Sequence, residues 1–159
     1  MNFYKGIDLA VQAFNQLGLP LKIIGAGPFL KSLRALAQPN IVFLGRLPDH
    51  DVAHYYASCK ALLLPGAEDF GITSLEANAA GRPVIALKKG GAIDTVIEGV
   101  NGLFFHENSV ESLAAAVRVF ENRQFNFLPW KIRAHALKFD KEVFKEKMKK
   151  FIYEKYGYG

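Results

Sequence analysis

The stretch ALLLPGAEDFGITSLEANAAGRPVIAL, residues 61–87, decides the fold, because it places two apolar runs on either side of one helical pattern. The runs, residues 61–65 and 84–87, have the nearly continuous apolar side chains of parallel strands that are buried on both faces. The helix between them is marked by a stripe at three- and four-residue spacing, formed by Ile72, Leu75 and Ala79. Gly81 and Pro83 then end the helix. This order predicts a right-handed crossover between two parallel strands.

The same alternation of strand and helix extends over the rest of the chain. Further strands are predicted at residues 21–25, 41–45 and 103–105. Helical stripes begin near Ile7, Phe29, Val52 and Val110, and the last two helices begin near Pro129 and Asp140. Asp49 or Asp51 is expected to cap the helix at Val52. We therefore predict one α/β domain over residues 1–159, built on a doubly wound parallel sheet.

Composition places the chain among ordinary globular proteins. Half of the 159 residues are apolar and 22% are charged, whereas a disordered chain would be more charged and less apolar. The single cysteine fits a reducing compartment. No apolar run approaches the ~20 residues of a membrane span, and the first residues lack the apolar core of a signal peptide. We therefore expect a cytoplasmic protein.

The net charge of +5 is concentrated near the end of the chain, where residues 141–155 read KEVFKEKMKKFIYEK. This run indicates either a solvated helix face with Glu/Lys pairs or a surface for anionic lipid headgroups. The second interpretation would place the protein peripherally on the inner face of the membrane. We predict no nucleic-acid partner, because the sequence has no recognition-helix, RNA-binding-sheet or zinc-finger pattern.

The loop at residues 66–71, GAEDFG, is the strongest candidate for a binding site. Ligands of a doubly wound sheet bind beyond the carboxyl ends of its strands, where this loop lies. A helix begins near Gly71, and a helix start presents free N–H groups and positive charge to a phosphate. Glu68 and Glu76 flank that helix start, and carboxylates accept hydrogen bonds from paired sugar hydroxyls. The two glutamates could therefore hold a ribose and a sugar on either side of a diphosphate.

Two glycine-rich turns are weaker signals. Gly25 and Gly27 follow the strand at residues 21–25, but they lack the third glycine of a dinucleotide fingerprint. A tight turn and a close approach of phosphate both remain open for them. Gly90 and Gly91 are predicted to form a backbone wall near a bound sugar.

The run EDFGITSLE, residues 68–76, resembles the Glu-x7-Glu signature of retaining glycosyltransferases of family four, which have the GT-B fold. Four other motifs match in the same order, at residues 5–8 (KGID), 24–28 (IGAGP), 43–46 (FLGR) and 81–91 (GRPVIALKKGG). Five motifs in this order are far more specific than any one of them. Within the family, the phrasing is most similar to bacterial mannosyltransferases that build surface polysaccharides.

The resemblance implies a role for each matching position. Lys5 would neutralise the donor diphosphate, Glu68 would hold a hydroxyl of the transferred sugar, and Glu76 would bind the ribose hydroxyls. The backbone around Arg46 would meet the base, and the N–H groups at residues 70–71 and 73–75 would face the sugar, the phosphates or the ribose. The catalytic set is then Glu68 and Lys5, and the donor-binding set is Gly25, Gly27, Arg46, Phe70, Gly71, Ile72, Thr73, Ser74, Leu75 and Glu76. The substrate would be a GDP- or UDP-linked sugar, with no cofactor and no metal.

The resemblance also implies that part of the enzyme is missing. In the family, a strand ending in Gly-Arg precedes Lys5, and an N-terminal acceptor-binding domain precedes that strand. Since four residues precede Lys5 here, we expect a truncated first strand. Its absence should leave a gap between residues 21–25 and 61–65, or make these two strands pair directly, or be bridged by residues 1–4.

A donor half alone should bind donor weakly or undetectably and should transfer no sugar. Its last helix should leave an apolar stripe partly exposed, or bury it in a dimer. Two alternatives stay open. One is another GT-B activity such as a nucleotide-sugar epimerase, which the intact Glu-x7-Glu disfavours. The other is a non-catalytic nucleotide- or polyanion-binding module, which the charge of +5 favours.

The remaining candidates are interpreted as structural. The four histidines have no metal-ligand spacing. Cys59 is expected to be a small buried residue on a helix face. Tyr55, Tyr56 and Trp130 are expected to be packing groups.

Overall fold

The computed structural model describes residues 6–123 and 126–157. Strands and helices alternate along the chain as the sequence predicts. The strands are β1 (Leu21–Ile24), β2 (Ile41–Gly45), β3 (Leu62–Leu64), β4 (Val84–Leu87) and β5 (Gly102–Phe105). The helices are α1 (Ile7–Leu17), α2 (Leu30–Leu36), α3 (Asp49–Ser58), α4 (Ile72–Ala79), α5 (Ala92–Thr95), α6 (Val110–Arg123), α7 (Pro129–Ala136) and α8 (Lys141–Tyr156), with a 3₁₀ turn at Leu137–Phe139 before α8.

All the strand pairs are parallel, as expected for an α/β fold with helical crossovers. β1 pairs with β2, beginning with Leu21 beside Ile41. β4 pairs with β3 on one side and with β5 on the other. Within the described residues no ladder joins β1 to β3, so the direct pairing considered above is not found. The alternative of a bridge by residues 1–4 lies outside the described residues.

The described strands form a two-stranded sheet of β1 and β2 and a three-stranded sheet in the order β3-β4-β5. β4, the middle strand of the second sheet, is buried on both faces. Ile85 and Leu87 point into a core shared with α1, β1, β2, β5 and α6, which joins both groups of strands. Val84 and Ala86 point to the opposite face and pack with residues of β3, α4 and α5. This arrangement accounts for the uninterrupted apolar run of β4 in the sequence.

Two local details differ from the expectations. α3 begins at Asp49 itself, after an extended Pro48, and no side chain caps it. The predicted cap by Asp49 or Asp51 is therefore wrong, and both carboxylates lie in the first turn, where they face the positive end of the helix dipole. α5 was not predicted, because four residues are too few to show a helical period.

α8 has no buried residue and carries several exposed apolar side chains. The exposed apolar residues are Phe144, Met148, Phe151, Ile152, Tyr153 and Tyr156. The stripe predicted to be partly exposed or buried in a dimer was Val143, Phe144, Lys147, Phe151 and Ile152, and in the single chain all but the half-buried Val143 are exposed. Burial of this stripe in a dimer stays a prediction. In the described part of the chain, no helix is both long and apolar enough to cross a bilayer.

Candidate functional site

The start of α4 is the electrostatic centre of the candidate site. Gly71 precedes the helix with φ of 81°, a left-handed conformation that glycine adopts without strain. Its carbonyl accepts hydrogen bonds from the N–H groups of Ser74 (3.0 Å) and Leu75 (3.4 Å). Among the described residues, nothing accepts from the N–H groups of Ile72 and Thr73 at the helix start, where an anion is favoured. The N–H groups of residues 73–75 were expected to face the nucleotide sugar. Those of Ser74 and Leu75 already donate to the Gly71 carbonyl, which leaves the N–H of Thr73 for this role.

The loop before α4 is held directly against the Gly90–Gly91 turn. The N–H of Gly91 donates to the Glu68 carbonyl at 2.7 Å, and Glu68 and Gly90 form a parallel bridge. A Cβ on Gly91 would lie 2.4 Å from the carbonyl carbon of Phe70, which is closer than any real contact. This turn therefore needs glycine at residue 91 for packing, and it fixes the backbone on which Phe70 and Gly71 lie.

A network of buried polar side chains links α4 to α5 and to the loop that follows α5. The hydroxyl of Ser74 contacts the hydroxyl of Thr95 at 2.8 Å, and both lie against carbonyls of the glycine turns. One turn further, the Asn101 amide donates to Asn78 Oδ1 (2.7 Å) and to the Thr95 carbonyl (2.9 Å). All four side chains are fully buried. Because buried polar groups are costly unless they are paired, this network locks α4 and α5 in one relative position.

His135 of α7 completes this network. Its Nε2 donates to the Thr95 carbonyl at 3.0 Å, which requires the Nε2–H tautomer when the ring is neutral. Its Nδ1 is buried without a hydrogen-bond partner in the described residues. His135 is therefore structural, as expected.

The two glutamates of the motif differ in their surroundings. Glu68 is half-buried in the loop, whereas Glu76 is exposed on α4. The hydroxyl of Tyr56 on α3 donates to Glu76 Oε2 at 3.0 Å. Burial raises the pKa of Tyr56, and the charge and hydrogen bond of Glu76 raise that pKa further. The phenol therefore stays protonated and donates throughout the physiological pH range.

The other predicted site residues lie at the carboxyl ends of β1 and β2. The N–H of Gly25 donates to the Gly45 carbonyl at 2.7 Å, and the carbonyl of Gly27 accepts from Leu30 at 3.1 Å. Arg46 is exposed directly after β2. In the parts of the chain that the structure describes, no hydrogen bond links these three residues to the α4 loop.

Lys5 lies outside the described residues, so its predicted role stays a prediction. Its neighbour Gly6 lies against the same loop, since a Cβ there would be 2.7 Å from the Pro65 carbonyl oxygen. The chain therefore enters α1 beside the carboxyl end of β3.

The interpretation of Tyr56 as a packing group is confirmed, because its ring packs against a buried cluster, but its hydrogen bond to Glu76 was not predicted. Only its spacing of four residues from Val52 was visible in the sequence, and this spacing says nothing about a partner on another helix. Cys59 is half-buried rather than buried, and burial raises the pKa of its thiol. Trp130 is 67% exposed, so its assignment as a packing group is wrong.

Comparison with known proteins places this geometry in a family. Residues 1–151 match the family model described as glycosyl transferases group 1. The chain is 31% identical over 131 residues to a GDP-mannose-dependent alpha-(1-6)-phosphatidylinositol monomannoside mannosyltransferase of Mycolicibacterium smegmatis, covering 71% of this chain and 34% of that enzyme. It is 30% identical over 130 residues to the O-antigen chain mannosyltransferase C of Escherichia coli, covering 77% and 35% respectively.

The fold is shared with solved structures. The crystal structure of Anabaena HepE in complex with UDP superposes with a TM-score of 0.84 at 22% identity, covering 96% of this chain and 46% of that one. The chain spans about a third of the length of the curated relatives it matches. The chain belongs to the group 1 glycosyl transferases, and it has a Rossmann-like fold of the GT-B type and resembles bacterial mannosyltransferases.

Proposed function

We propose that this chain is the nucleotide-sugar-binding domain of a retaining hexosyltransferase. The observation that carries the proposal is the start of α4, where the N–H groups of Ile72 and Thr73 lie between Glu68 and Glu76 with no acceptor in residues 6–123 and 126–157. An anion placed there meets the positive end of the helix dipole, and a carboxylate on each side can accept hydroxyl hydrogen bonds. This combination fits a diphosphate that links two polyols.

In this proposal each group has one task. The diphosphate lies on the N–H groups of Ile72 and Thr73, and Lys5 adds positive charge as the phosphates leave. Glu68 holds the transferred sugar and Glu76 holds the ribose. The exposed segment at Arg46 meets the base.

The donor is proposed to be a GDP- or UDP-linked hexose, used for mannosyl or glucosyl transfer in polysaccharide or glycolipid synthesis. The relatives from Mycolicibacterium smegmatis and Escherichia coli are named mannosyltransferases, and the Anabaena protein was crystallised with UDP. These names support a hexosyl donor and leave the base open between guanine and uracil.

Transfer is proposed to need a second, acceptor-binding domain. Orienting donor and acceptor in a cleft between two domains can supply several kcal/mol of a barrier, and one domain alone loses that contribution. α8 is the surface proposed to meet that domain, because its exposed stripe includes Phe144, Met148 and Phe151 and covers no core of this chain.

An anionic membrane is the second occupant that α8 fits. Its residues include six lysines against three glutamates, and the glutamates pair with Lys145, Lys149 and Lys150. The unbalanced lysines beside an apolar stripe suit lipid headgroups. We propose on this basis a cytoplasmic enzyme that can lie peripherally on the membrane.

A donor panel tests the proposal. GDP-, UDP- and ADP-sugars are titrated at millimolar concentration into the wild-type chain, into Glu76→Gln, and into Glu111→Gln as a control on an exposed glutamate of α6. We expect the chain to prefer one nucleotide sugar. Glu76→Gln should weaken the binding of that sugar, and Glu111→Gln should leave its binding unchanged. A chain that instead prefers phosphate polymers, with an affinity that falls steeply with salt, would be a polyanion-binding module.

A further inference from the structure

We propose that Tyr56 is a positioning residue of the donor site, which holds the Glu76 carboxylate in the orientation that receives the ribose. The inference rests on the proposed function, since it assigns a task to a residue outside the glutamate motif. Tyr56 belongs to α3, and Glu76 belongs to α4, which packs against α3. The contact therefore connects two helices that follow different strands.

Packing fixes the position of the Tyr56 ring, whereas the Glu76 side chain extends from α4 into solvent. The ring of Tyr56 packs against the core formed by Leu64, Ala77 and Val84, so the phenol has a defined position. Glu76 is exposed, and in residues 6–123 and 126–157 no second hydrogen bond or ion pair holds its carboxylate. Tyr56 is therefore the fixed partner, and it restrains a side chain that would otherwise rotate in solvent.

This restraint has a direct consequence for ligand binding. A long exposed carboxylate loses conformational entropy when it is ordered by a ligand, which weakens binding. A carboxylate that is already ordered avoids this loss. It also keeps free acceptor capacity, because two carboxylate oxygens offer about four lone-pair sites and the phenol occupies one. Oε1 and the remaining position on Oε2 can then accept from the two hydroxyls of a ribose.

The protonation state of Tyr56 agrees with this role. A phenol can hold the carboxylate only as a donor, because phenolate would repel it. Burial and the neighbouring Glu76 both raise the pKa of Tyr56, so the donor form is kept.

The test compares Tyr56→Phe with Tyr55→Phe. Tyr55 is the adjacent residue on α3, and its ring contacts Lys22 and His54 rather than the site, so it is a matched loss of one phenol hydroxyl. GDP and UDP, each with its 2′,3′-dideoxy analogue, are titrated into both variants and into Glu76→Gln by NMR. For the preferred nucleotide, we expect Tyr56→Phe to weaken binding by about 3- to 10-fold, the effect of one hydrogen bond, and Tyr55→Phe to leave it unchanged.

The analogues separate positioning from a general structural effect. Tyr56→Phe should have little effect on the dideoxy nucleotide, and it should have no further effect in a Glu76→Gln background. Equal weakening of both nucleotides would overturn the inference, because the phenol would then act on the fold. If Glu76→Gln weakens binding and Tyr56→Phe does not, the inference fails while the proposed function stands. If neither variant changes binding, the ribose assignment of the proposed function fails as well.

An NMR measurement on the ligand-free protein tests whether Tyr56 orders the Glu76 side chain, independently of any binding affinity. Side-chain couplings of Glu76 should indicate one main rotamer in the wild-type chain and in Tyr55→Phe, and averaging in Tyr56→Phe. Glu76→Gln should also lower the pKa of Tyr56, followed through the carbon signals of its ring. A Glu76 side chain that is averaged in the wild-type protein would overturn the proposal.

Discussion

Replacing Gly91 by alanine should disrupt the close contact between the backbone of Gly90 and Gly91 and the loop at residues 66–71. Gly91 has φ of −61° and ψ of −13°, which alanine adopts freely, so the substitution adds no backbone strain. The added Cβ would lie 2.4 to 2.6 Å from three backbone atoms of Phe70. Since carbon atoms in contact prefer about 3.5 to 4.0 Å, the loop has to retreat by about 1 Å.

The cost of that retreat follows from two contributions. Overpacking of a tight contact costs about 1–3 kcal/mol, and stretching the hydrogen bond from Gly91 to the Glu68 carbonyl costs about 1 kcal/mol more. A total of about 2–4 kcal/mol should lower the Tm of a domain this size by about 5–15 °C. The same movement displaces Phe70 and Gly71, so donor binding should be lost as well.

The assay is thermal unfolding followed by donor titration at a temperature where the variant is folded. Gly99→Ala is the control, because Gly99 has φ of 77° with nothing within 4 Å of its added Cβ. Gly99→Ala should cost about 1 kcal/mol of backbone strain and leave donor binding intact. A Gly91→Ala protein that melts with the wild type and binds donor equally well would refute the close contact and the wall.

Three further predictions address the site, its support and the exposed helix. In the complete enzyme, Glu76→Ala should weaken the use of the nucleotide-sugar donor by about 1–3 kcal/mol. Glu68→Ala should lower turnover more than nucleotide binding, because Glu68 is proposed to hold the transferred sugar. If wild type and Glu76→Ala bound free nucleoside diphosphate equally well, the ribose assignment would be wrong. Asn101→Ala should lower the free energy of unfolding by about 1–3 kcal/mol, because the buried Asn78 Oδ1 loses its donor, and denaturant titration would show an unchanged midpoint if the network were unimportant. Phe151→Asp on α8 should leave folding unchanged and abolish binding to an added acceptor-binding domain; if it abolishes sedimentation with anionic vesicles instead, the membrane is the occupant.

The sequence predicts the fold well where buried strands are long enough to show their pattern. All five strands are confirmed to within one residue at each end. β4 and β5 show the continuous apolar run of buried strands, whereas β1, β2 and β3 have one buried residue each. The parallel crossover through α4 is also confirmed, since α4 lies between the paired strands β3 and β4 and ends before Gly81. Its predicted stripe is wrong: Ile72 is 63% exposed, and the buried face of α4 is polar and small, formed by Ser74, Ala77 and Asn78, which pair with or pack on buried neighbours. The positions of Asp49 and α5 were missed, because a cap depends on the backbone before it and a single helical turn has no period.

The sequence predicted the parts of the candidate site that are formed by adjacent residues, but not the contacts between residues far apart in the chain. The loop at residues 66–71 and the helix start were visible in a run of adjacent residues. The contact from Tyr56 to Glu76 joins residues twenty positions apart, and the network from Ser74 to Thr95 joins residues twenty-one apart. Such contacts depend on how two helices pack, which no local pattern contains.

We propose that a nucleotide sugar lies on the start of α4, and a residue-resolved NMR titration can locate it there. The ¹⁵N-labelled chain is titrated with GDP-mannose and UDP-glucose at millimolar concentration, where weak binding still shifts amide signals. We expect the largest shifts at the amides of Ile72, Thr73 and their neighbours in the loop at residues 66–71, and we expect Glu76→Gln to reduce these shifts. Shifts confined to the lysines of α8, or an α4 start that no donor perturbs, would contradict it.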